Sequence, residues 1–355
     1  MLQLVLTGLL CGGLLGFVMQ RGRFCVTGAF RDMYVTKDNR MFVAFLVAIS
    51  IQSIGVYLLH SLGIIQFELG NFMWFATIFG AFVFGIGIIF AGGCATGTWY
   101  RAGEGLIGSW IALATYMVSS AMMKSGPLSS YSTSMQSHQV EAQTIHGTLG
   151  VSPWVLVALL VGITGLLVWK QLSKPSVKIP TMKPKKTGLS HLLFEKRWNP
   201  LFTATLVGLI AIAAWPLSEA TGRMFGLGIT MPTANILQYA VTGDSSFLNW
   251  GVFLVIGILI GSYVAAKGSG EFRFRVPDVN TCLKSAFGGI LMGVGASLAG
   301  GCSIGNGLVE TALFTWQGWI SLPFMILGTW TAAYFTIVKP RQKAMKKVKM
   351  NTQTA

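Results

Sequence analysis

Residues 80–97 read GAFVFGIGIIFAGGCATG, and residues 288–305 read GGILMGVGASLAGGCSIG. Eight of the eighteen aligned positions are identical, including both glycines before each cysteine. Each copy is an apolar, helix-like run that ends in Gly-Gly-Cys and is followed by a further glycine. A duplicated apolar helix that breaks at a thiol is typical of membrane transporters built from two repeats.

The composition around these two copies indicates a membrane protein. The chain has 355 residues, of which 53% are hydrophobic and 10% are charged, whereas soluble domains carry roughly 25% charged residues. Apolar runs long enough to cross a bilayer recur along the chain. We predict an all-α polytopic membrane protein with about nine spans, near residues 4–20, 41–60, 74–92, 106–124, 153–169, 200–217, 250–266, 284–300 and 318–338.

The distribution of basic residues predicts the orientation. A net charge of +15 is compatible with nucleic-acid binding in itself. If nine spans alternate, however, 24 of the 26 Lys and Arg residues fall on one side, and only Lys124 and Arg223 do not. The positive-inside rule then predicts an N-terminus outside and a C-terminus in the cytoplasm. We therefore expect no nucleic-acid partner, and we interpret the basic tail as a segment that contacts lipid headgroups.

The span count divides the chain into two halves. Residues 1–150 form the first repeat of four spans, and residues 200–338 form the second. Residues 151–199 are a linker helix plus a basic cytoplasmic loop with Pro175, Pro180 and Pro184, and residues 339–355 are a basic cytoplasmic tail. Because one helix separates the halves, they enter the membrane in opposite senses. This arrangement predicts an inverted-topology repeat, with two broken or re-entrant helices facing each other near the midplane.

Cysteine is the residue type that carries the chemistry in this sequence. There is no CxxC pair, and the four histidines lie away from Cys94 and Cys302, so we expect no metal site, no cofactor and no catalytic residues. Cys94 and Cys302 stand at the duplicated breaks. Cys25, in QRGRFC, is a third candidate, whereas Cys11 and Cys282 have no such context.

A broken helix inside a membrane frees backbone amides, because lipid offers them no partner. Where they line a cavity, those amides and the positive end of a half-helix bind anions. The residues expected to form such sites around the breaks are Gly92, Gly93, Gly97, Gly300, Gly301 and Gly305. A buried neutral thiol is a weak, soft donor that suits a sulfur-bearing anion.

Two charged residues follow the first break. Arg101 and Glu104 are expected in supporting roles, with Glu104 capping or orienting a short helix rather than acting directly in transport. No Asp or Glu lies in the middle of a predicted span, so proton coupling has no obvious carrier.

At these residues the chain resembles the YeeE/YedE family of sulfur transporters, in particular its enterobacterial thiosulfate-uptake type. The resemblance rests on GFVMQRGRFC (16–25), AGGCATGTWYR (91–101) and AGGCSIG (299–305), and it covers nearly the whole length. It implies an hourglass-shaped inner-membrane thiosulfate importer with two pseudo-symmetric halves. It also implies that Cys25, Cys94 and Cys302 pass thiosulfate inward through S–H···S hydrogen bonds without a stable covalent intermediate, and that a cytosolic TusA-like sulfur carrier protein is a partner.

Three alternatives stay open at the level of sequence. The cargo of a transporter with thiol donors is equally well sulfide, a persulfide or a selenium oxyanion. A membrane thiol oxidoreductase requires two cysteines that approach within about 7 Å between Cα atoms, and the missing CxxC disfavours such an enzyme. A scaffold protein, finally, would tolerate the substitution Cys94→Ala.

Overall fold

Apolar stretches with short polar connections give this chain an all-helical structure. The computed structural model describes residues 2–173, 187–196 and 198–345, and these residues contain helices and isolated bridges but no strand. The predicted linker prolines Pro175, Pro180 and Pro184, and the basic tail beyond Met345, lie outside the described residues.

The helices of the two predicted halves occur in the same order. The first half contains α1 (Leu2–Gly22), α2 (Val26–Val35), α3 (Arg40–Ser61), α4 (Trp74–Phe90), α5 (Ala95–Gly103) and α6 (Ile107–Ser125). The first half ends with the short helices α7 (Ser129–Gln136) and α8 (Ile145–Leu149), and α9 (Pro153–Leu172) and α10 (Gly188–Phe194) follow in the predicted linker. The second half contains α11 (Pro200–Glu219), α12 (Thr230–Thr242), α13 (Trp250–Gly268), α14 (Val279–Leu298), a π-helix (Gly305–Glu310) and α15 (Trp316–Ala333).

Within residues 2–173, 187–196 and 198–345, eight helical segments are long and apolar enough to cross a membrane. They are Leu2–Val35, Arg40–Ser61, Trp74–Gly103, Pro153–Leu172, Pro200–Glu219, Trp250–Gly268, Val279–Leu298 and Trp316–Met345. Their outer faces are apolar. On α1, for example, Leu6, Leu10 and Leu14 are 56%, 65% and 52% exposed along one side, which suits a helix that faces lipid. The predicted all-α multi-pass class is therefore confirmed.

The ninth predicted span, residues 106–124, coincides with α6. This helix has 19 residues, but it is not among the eight apolar segments. Ser109, Ser119, Ser120 and Lys124 lower its hydropathy. The predicted helix is therefore present, and it packs against α14. Its sequence is more polar than those of the eight apolar segments.

The packing of the helices repeats when the two halves are exchanged. Helix α1 packs on α13 as α11 packs on α3, and α6 packs on α14 as α15 packs on α4. Helix α4 also packs on α14, and α1 packs on α11. Each of these two pairs joins corresponding helices, so exchanging the halves leaves the pair unchanged. Each half therefore completes the core of the other, as expected of a pseudo-two-fold relation between duplicated halves. The opposite orientation of the halves in a membrane stays a prediction.

Glycines of the duplicated motif allow α4 and α14 to touch. A Cβ atom on Gly80 would lie 2.6 Å from the backbone N of Ala299, and one on Gly87 would lie 2.7 Å from the backbone N of Met292. Any side chain at these positions would push the two helices apart. Small residues are the usual means of close helix approach in membranes. Here the end of each broken helix packs near the beginning of the other, since Gly80 lies against Ala299 and Gly288 lies against Ala91.

Candidate functional site

The first break places Cys94 in the interior. Helix α4 ends at Phe90, and Gly92 has φ +70°, a left-handed conformation that favours glycine. Cys94 then caps the start of α5, because its Sγ accepts a hydrogen bond from the Gly97 amide at 3.4 Å. Its side chain is completely buried, and Gly93 and Gly97 are buried beside it.

The second break has the same beginning and a different continuation. Helix α14 ends at Leu298, Gly300 has φ +74°, and Cys302 is buried. A π-helix then follows from Gly305 instead of an α-helix. Asn306 stabilises this turn, since its Nδ2 donates to the Ala299 carbonyl at 2.7 Å and to Ser321 Oγ at 3.0 Å. Isolated π-turns often occur at functional sites.

A third break holds Cys25. Helix α1 ends at Gly22, and Cys25 is the N-terminal cap residue of α2, with only 7% of its surface exposed. The guanidinium of Arg101 connects this break with the first one. Its Nη2 lies 3.7 Å from Cys25 Sγ, while its Nη1 donates to the Gly92 carbonyl. Arg101 thus lies between the first break and the Cys25 break.

The structure brings these three cysteines near one another. Cys94 lies near both Cys25 and Cys302. Cys302 lines one cavity and Cys25 lines another, whereas Cys94 is buried. All five cysteines carry free thiols. We call the two cavities the Cys302 cavity and the Cys25 cavity.

The Cys302 cavity has a volume of about 510 Å³ and contains the glycines of the second break, Gly300, Gly301 and Gly305. Lys124 and Arg223 also line it. Lys124 Nζ donates to Asn235 Oδ1 at 2.8 Å, and Arg223 Nη1 donates to the Phe225 and Gly226 carbonyls at 2.9 and 2.7 Å. Within the described residues neither cation forms an ion pair with a carboxylate, so both contribute positive charge to the cavity.

Sequence reasoning missed Lys124 and Arg223 as site residues, although a signal was present. They are the two basic residues that do not fall on the predicted cytoplasmic side. Two cations that depart from the positive-inside pattern indicate a local requirement for positive charge. Their sequence separation of about 100 residues concealed that one cavity contains both.

The Cys25 cavity is smaller, about 180 Å³, and three arginines line it. Its lining residues are Arg23, Cys25, Thr27, Gly28, Arg31, Asp32, Met41, Gly92 and Arg101. Arg31 Nε lies 2.8 Å from Asp32 Oδ1, which compensates its charge. Basic side chains thus line both cavities.

Glu104 lies at the C-terminal end of α5, behind the Cys25 cavity. Its side chain is 6% exposed and its Oε1 lies 3.5 Å from Arg23 Nη1. The expectation that Glu104 caps a short helix agrees with this position, since it is the C-terminal cap residue of α5. The sequence did not single out its partner Arg23.

Ser303 is a further residue that the sequence did not single out. It follows Cys302 directly, and its buried hydroxyl interacts with the Cys94 thiol. Ser303 therefore connects the second break with the first. Elsewhere in the described ranges, no group of three or more His, Cys, Asp and Glu side chains is arranged to hold a metal ion.

Interrupted apolar helices of membrane-spanning length define a multi-pass α-helical membrane protein. The chain belongs to the family described as Sulphur transport, whose model matches residues 21–331. It is 61% identical over 344 residues to the thiosulfate transporter TsuA of Escherichia coli K12, covering 97% of this chain and 98% of that protein. It is 34% identical to the thiosulfate transporter TsuA of Spirochaeta thermophila, over 93% of this chain and 98% of that protein.

A more distant likeness covers a short part of the chain. The probable transporter YedE of Escherichia coli K12 is 36% identical over 97 residues, which are 27% of this chain and 23% of that protein. Family membership thus supports a transporter, as the sequence predicts, rather than an enzyme.

Proposed function

We propose that this protein imports thiosulfate through the cytoplasmic membrane, along a path formed by Cys302, Cys94 and Cys25 in that order. The observation that carries the proposal is the series of three buried free thiols at three helix breaks, between two cation-rich cavities. The cargo is proposed because two relatives that match nearly the whole chain are named thiosulfate transporters.

Each part of the path has a chemical task in this proposal. Lys124 and Arg223 draw the dianion into the Cys302 cavity, where amides around Gly300, Gly301 and Gly305 surround it. At the dry centre, the S–H groups of Cys302 and then Cys94 replace part of the lost hydration. Thiols are weak donors, so they bind the anion without trapping it. Arg101, beside Cys25, receives it in the second cavity.

The charge of the cargo determines what the path must overcome. Moving two negative charges inward against 100 mV costs about 4.6 kcal/mol, at ~2.3 kcal/mol per charge. Burying a bare charge in a medium of low dielectric would cost far more. The cations of the two cavities reduce the cost of burying the charge. The cost of moving against the membrane potential is offset when thiosulfate is consumed rapidly inside the cell.

The orientation belongs to the same proposal. The Cys302 cavity faces outward and the Cys25 cavity faces the cytoplasm, because the basic segment from Arg21 to Arg40 belongs to the cytoplasmic side. The C-terminus is then cytoplasmic, and repeats 1–150 and 200–338 have inverted topology. A TusA-like sulfur carrier that accepts the cargo in the cytoplasm, and lipid headgroups at the basic tail, are the proposed partners.

Uptake of labelled thiosulfate into proteoliposomes tests the proposal. Wild type and Cys11→Ala should transport, because Cys11 lies in α1 and lines neither cavity, whereas Cys94→Ala should not. Equal uptake by all three variants would contradict the role of Cys94. Competition by unlabelled sulfide, persulfide and selenium oxyanions in the same assay tests the alternative cargoes.

A further inference from the structure

A cluster of charged residues surrounds the Cys25 cavity where the ends of three helices meet. Arg23 follows α1, Glu104 ends α5, and Glu271 lies in the loop after α13. Arg23 Nη2 lies 2.9 Å from Glu271 Oε2, and Arg23 Nη1 lies 3.5 Å from Glu104 Oε1. One guanidinium therefore joins two carboxylates from distant parts of the chain.

The two carboxylates are held in place by their surroundings. Glu271 Oε2 accepts a hydrogen bond from Gln20 Nε2 at 2.7 Å and lies 3.7 Å from Arg21 Nη1. The Glu104 side chain is 6% exposed, and its Oε1 is buried without a hydrogen-bond partner among the described residues. Arg23, Arg101 and Gln20 all act on Glu104, and Arg23 is the cation that it shares with Glu271.

Arg23 faces the cavity as well as the carboxylates. Its side chain is 48% exposed and lines the Cys25 cavity together with Cys25 and Arg101. Its backbone adopts φ +50°, a left-handed conformation that residues with a side chain rarely adopt. This conformation occurs directly after α1 ends, so the break itself directs Arg23 to its position between the carboxylates and the cavity.

An oxyanion in the Cys25 cavity would approach the guanidinium of Arg23, which already interacts with Glu104 and Glu271. Arginine binds oxyanions by paired N–H···O hydrogen bonds, with the same geometry that it uses for carboxylates. Glu271 therefore occupies a donor that the oxyanion would otherwise take, and the nearby charge of Glu104 weakens the attraction of Arg23 for the oxyanion. A cavity lined by Arg23 and Arg101 without these carboxylates would hold a dianion more strongly and release it more slowly.

We propose that Arg23 is the release site for the transported oxyanion, and that Glu104 and Glu271 compete with the anion for Arg23 so that it leaves the cavity. This inference rests on the proposed import of thiosulfate. It assigns an anion-binding role to Arg23 and a positioning role to the two glutamates, which act through Arg23 and do not touch the cargo.

Inhibition by internal product tests the competition. Proteoliposomes are loaded with increasing concentrations of unlabelled thiosulfate, and the initial uptake of labelled thiosulfate is measured for wild type, Glu104→Gln and Glu271→Gln. Each neutral variant should be inhibited at about fivefold lower internal thiosulfate, the change expected when one partly exposed charge pair is lost. The maximal uptake rate should fall in both variants.

A double variant separates competition from a structural role. In an Arg23→Gln background, Glu104→Gln should cause no further change in internal inhibition, because the shared guanidinium is gone. Asp38→Asn is the matched control. It removes a carboxylate from the exposed Arg40–Asp38 pair, outside the cavity, and should behave like wild type.

The outcomes distinguish this inference from the function on which it rests. No uptake by wild type would overturn the proposed function and this inference with it. Normal wild-type uptake with unchanged internal inhibition in Glu104→Gln and Glu271→Gln would overturn the inference alone. If Glu104→Gln is poorly folded, Glu271→Gln decides, because Glu271 is 36% exposed and less dependent on packing.

Discussion

At the scale of single residues, Cys94 combines a structural and a chemical role. Its Sγ accepts the Gly97 amide hydrogen bond that begins α5, and its thiol lies between Cys25 and Cys302. Substitutions can separate these roles, because serine is a good helix cap but has a hydroxyl in place of the soft thiol.

We expect Cys94→Ser to keep the stability of the wild type while its thiosulfate uptake falls at least about tenfold, which corresponds to ~1.4 kcal/mol in the barrier. Cys94→Ala should lose uptake and, in addition, about 1 kcal/mol of stability with the cap. Thermal unfolding in detergent and proteoliposome uptake measure the two effects. Wild-type uptake by Cys94→Ser would show that the thiol has no special function.

Lys124 is the residue that best tests electrostatic capture. Lys124→Gln should raise the KM for thiosulfate several-fold with little change in maximal rate, since the lost charge acts on entry into the cavity. The effect should shrink at high ionic strength because salt screens charge. Lys339→Gln, which alters an exposed lysine far from the cavity, serves as the control. An unchanged KM at low salt in Lys124→Gln would argue against capture.

At the scale of helices, the connections after the breaks are built alike in both halves. Gly105 leads from α5 into α6 with φ +91°, and Phe314 leads from the π-helix region into α15 with φ +53°. Leu106 then forms a bridge with Arg275, and Thr315 forms one with Thr144. In each half a loop from elsewhere in the chain thus covers the end of the broken helix.

Gly105 is the position where this connection is most restricted. A Cβ atom there would lie 2.7 Å from the Arg273 carbonyl oxygen, in a backbone conformation that alanine disfavours. We expect Gly105→Ala to destabilise the protein by at least ~1–2 kcal/mol. Gly162→Ala, in α9 with open space around it, should be neutral or stabilising by up to ~1 kcal/mol. Similar melting temperatures for the two variants would contradict this explanation.

At the scale of the whole molecule, the interlocked packing makes each half dependent on the other. Helices α1 and α3 of the first half find their main partners in α13 and α11 of the second. Neither half can therefore bury its own helix faces alone, and we expect residues 1–150 expressed separately to be degraded or aggregated. Co-expression of 1–150 with 151–355 should restore a complex that co-purifies. Recovery of a stable, monomeric 1–150 fragment would contradict this expectation.

The proposed orientation can be tested on intact cells with a membrane-impermeant maleimide. Asp244→Cys, in an exposed connection before α13, should react from outside. Asp38→Cys, in the exposed connection before α3, should react only after permeabilisation. The opposite pattern, or labelling of both from outside, would reject the N-out, C-in topology.

The sequence by itself determined the class of protein, the positions of the long helices and the two thiols at the duplicated breaks. These features depend on local composition, because an apolar run forms a helix in lipid and Gly-Gly-Cys interrupts it. Only the tertiary structure decided that Cys25 lies at a third break, that Lys124 and Arg223 share one cavity, and that Arg23 joins Glu104 to Glu271. These relations connect residues about 80 to 250 positions apart, and they arise from the packing of one half against the other, which local patterns do not encode.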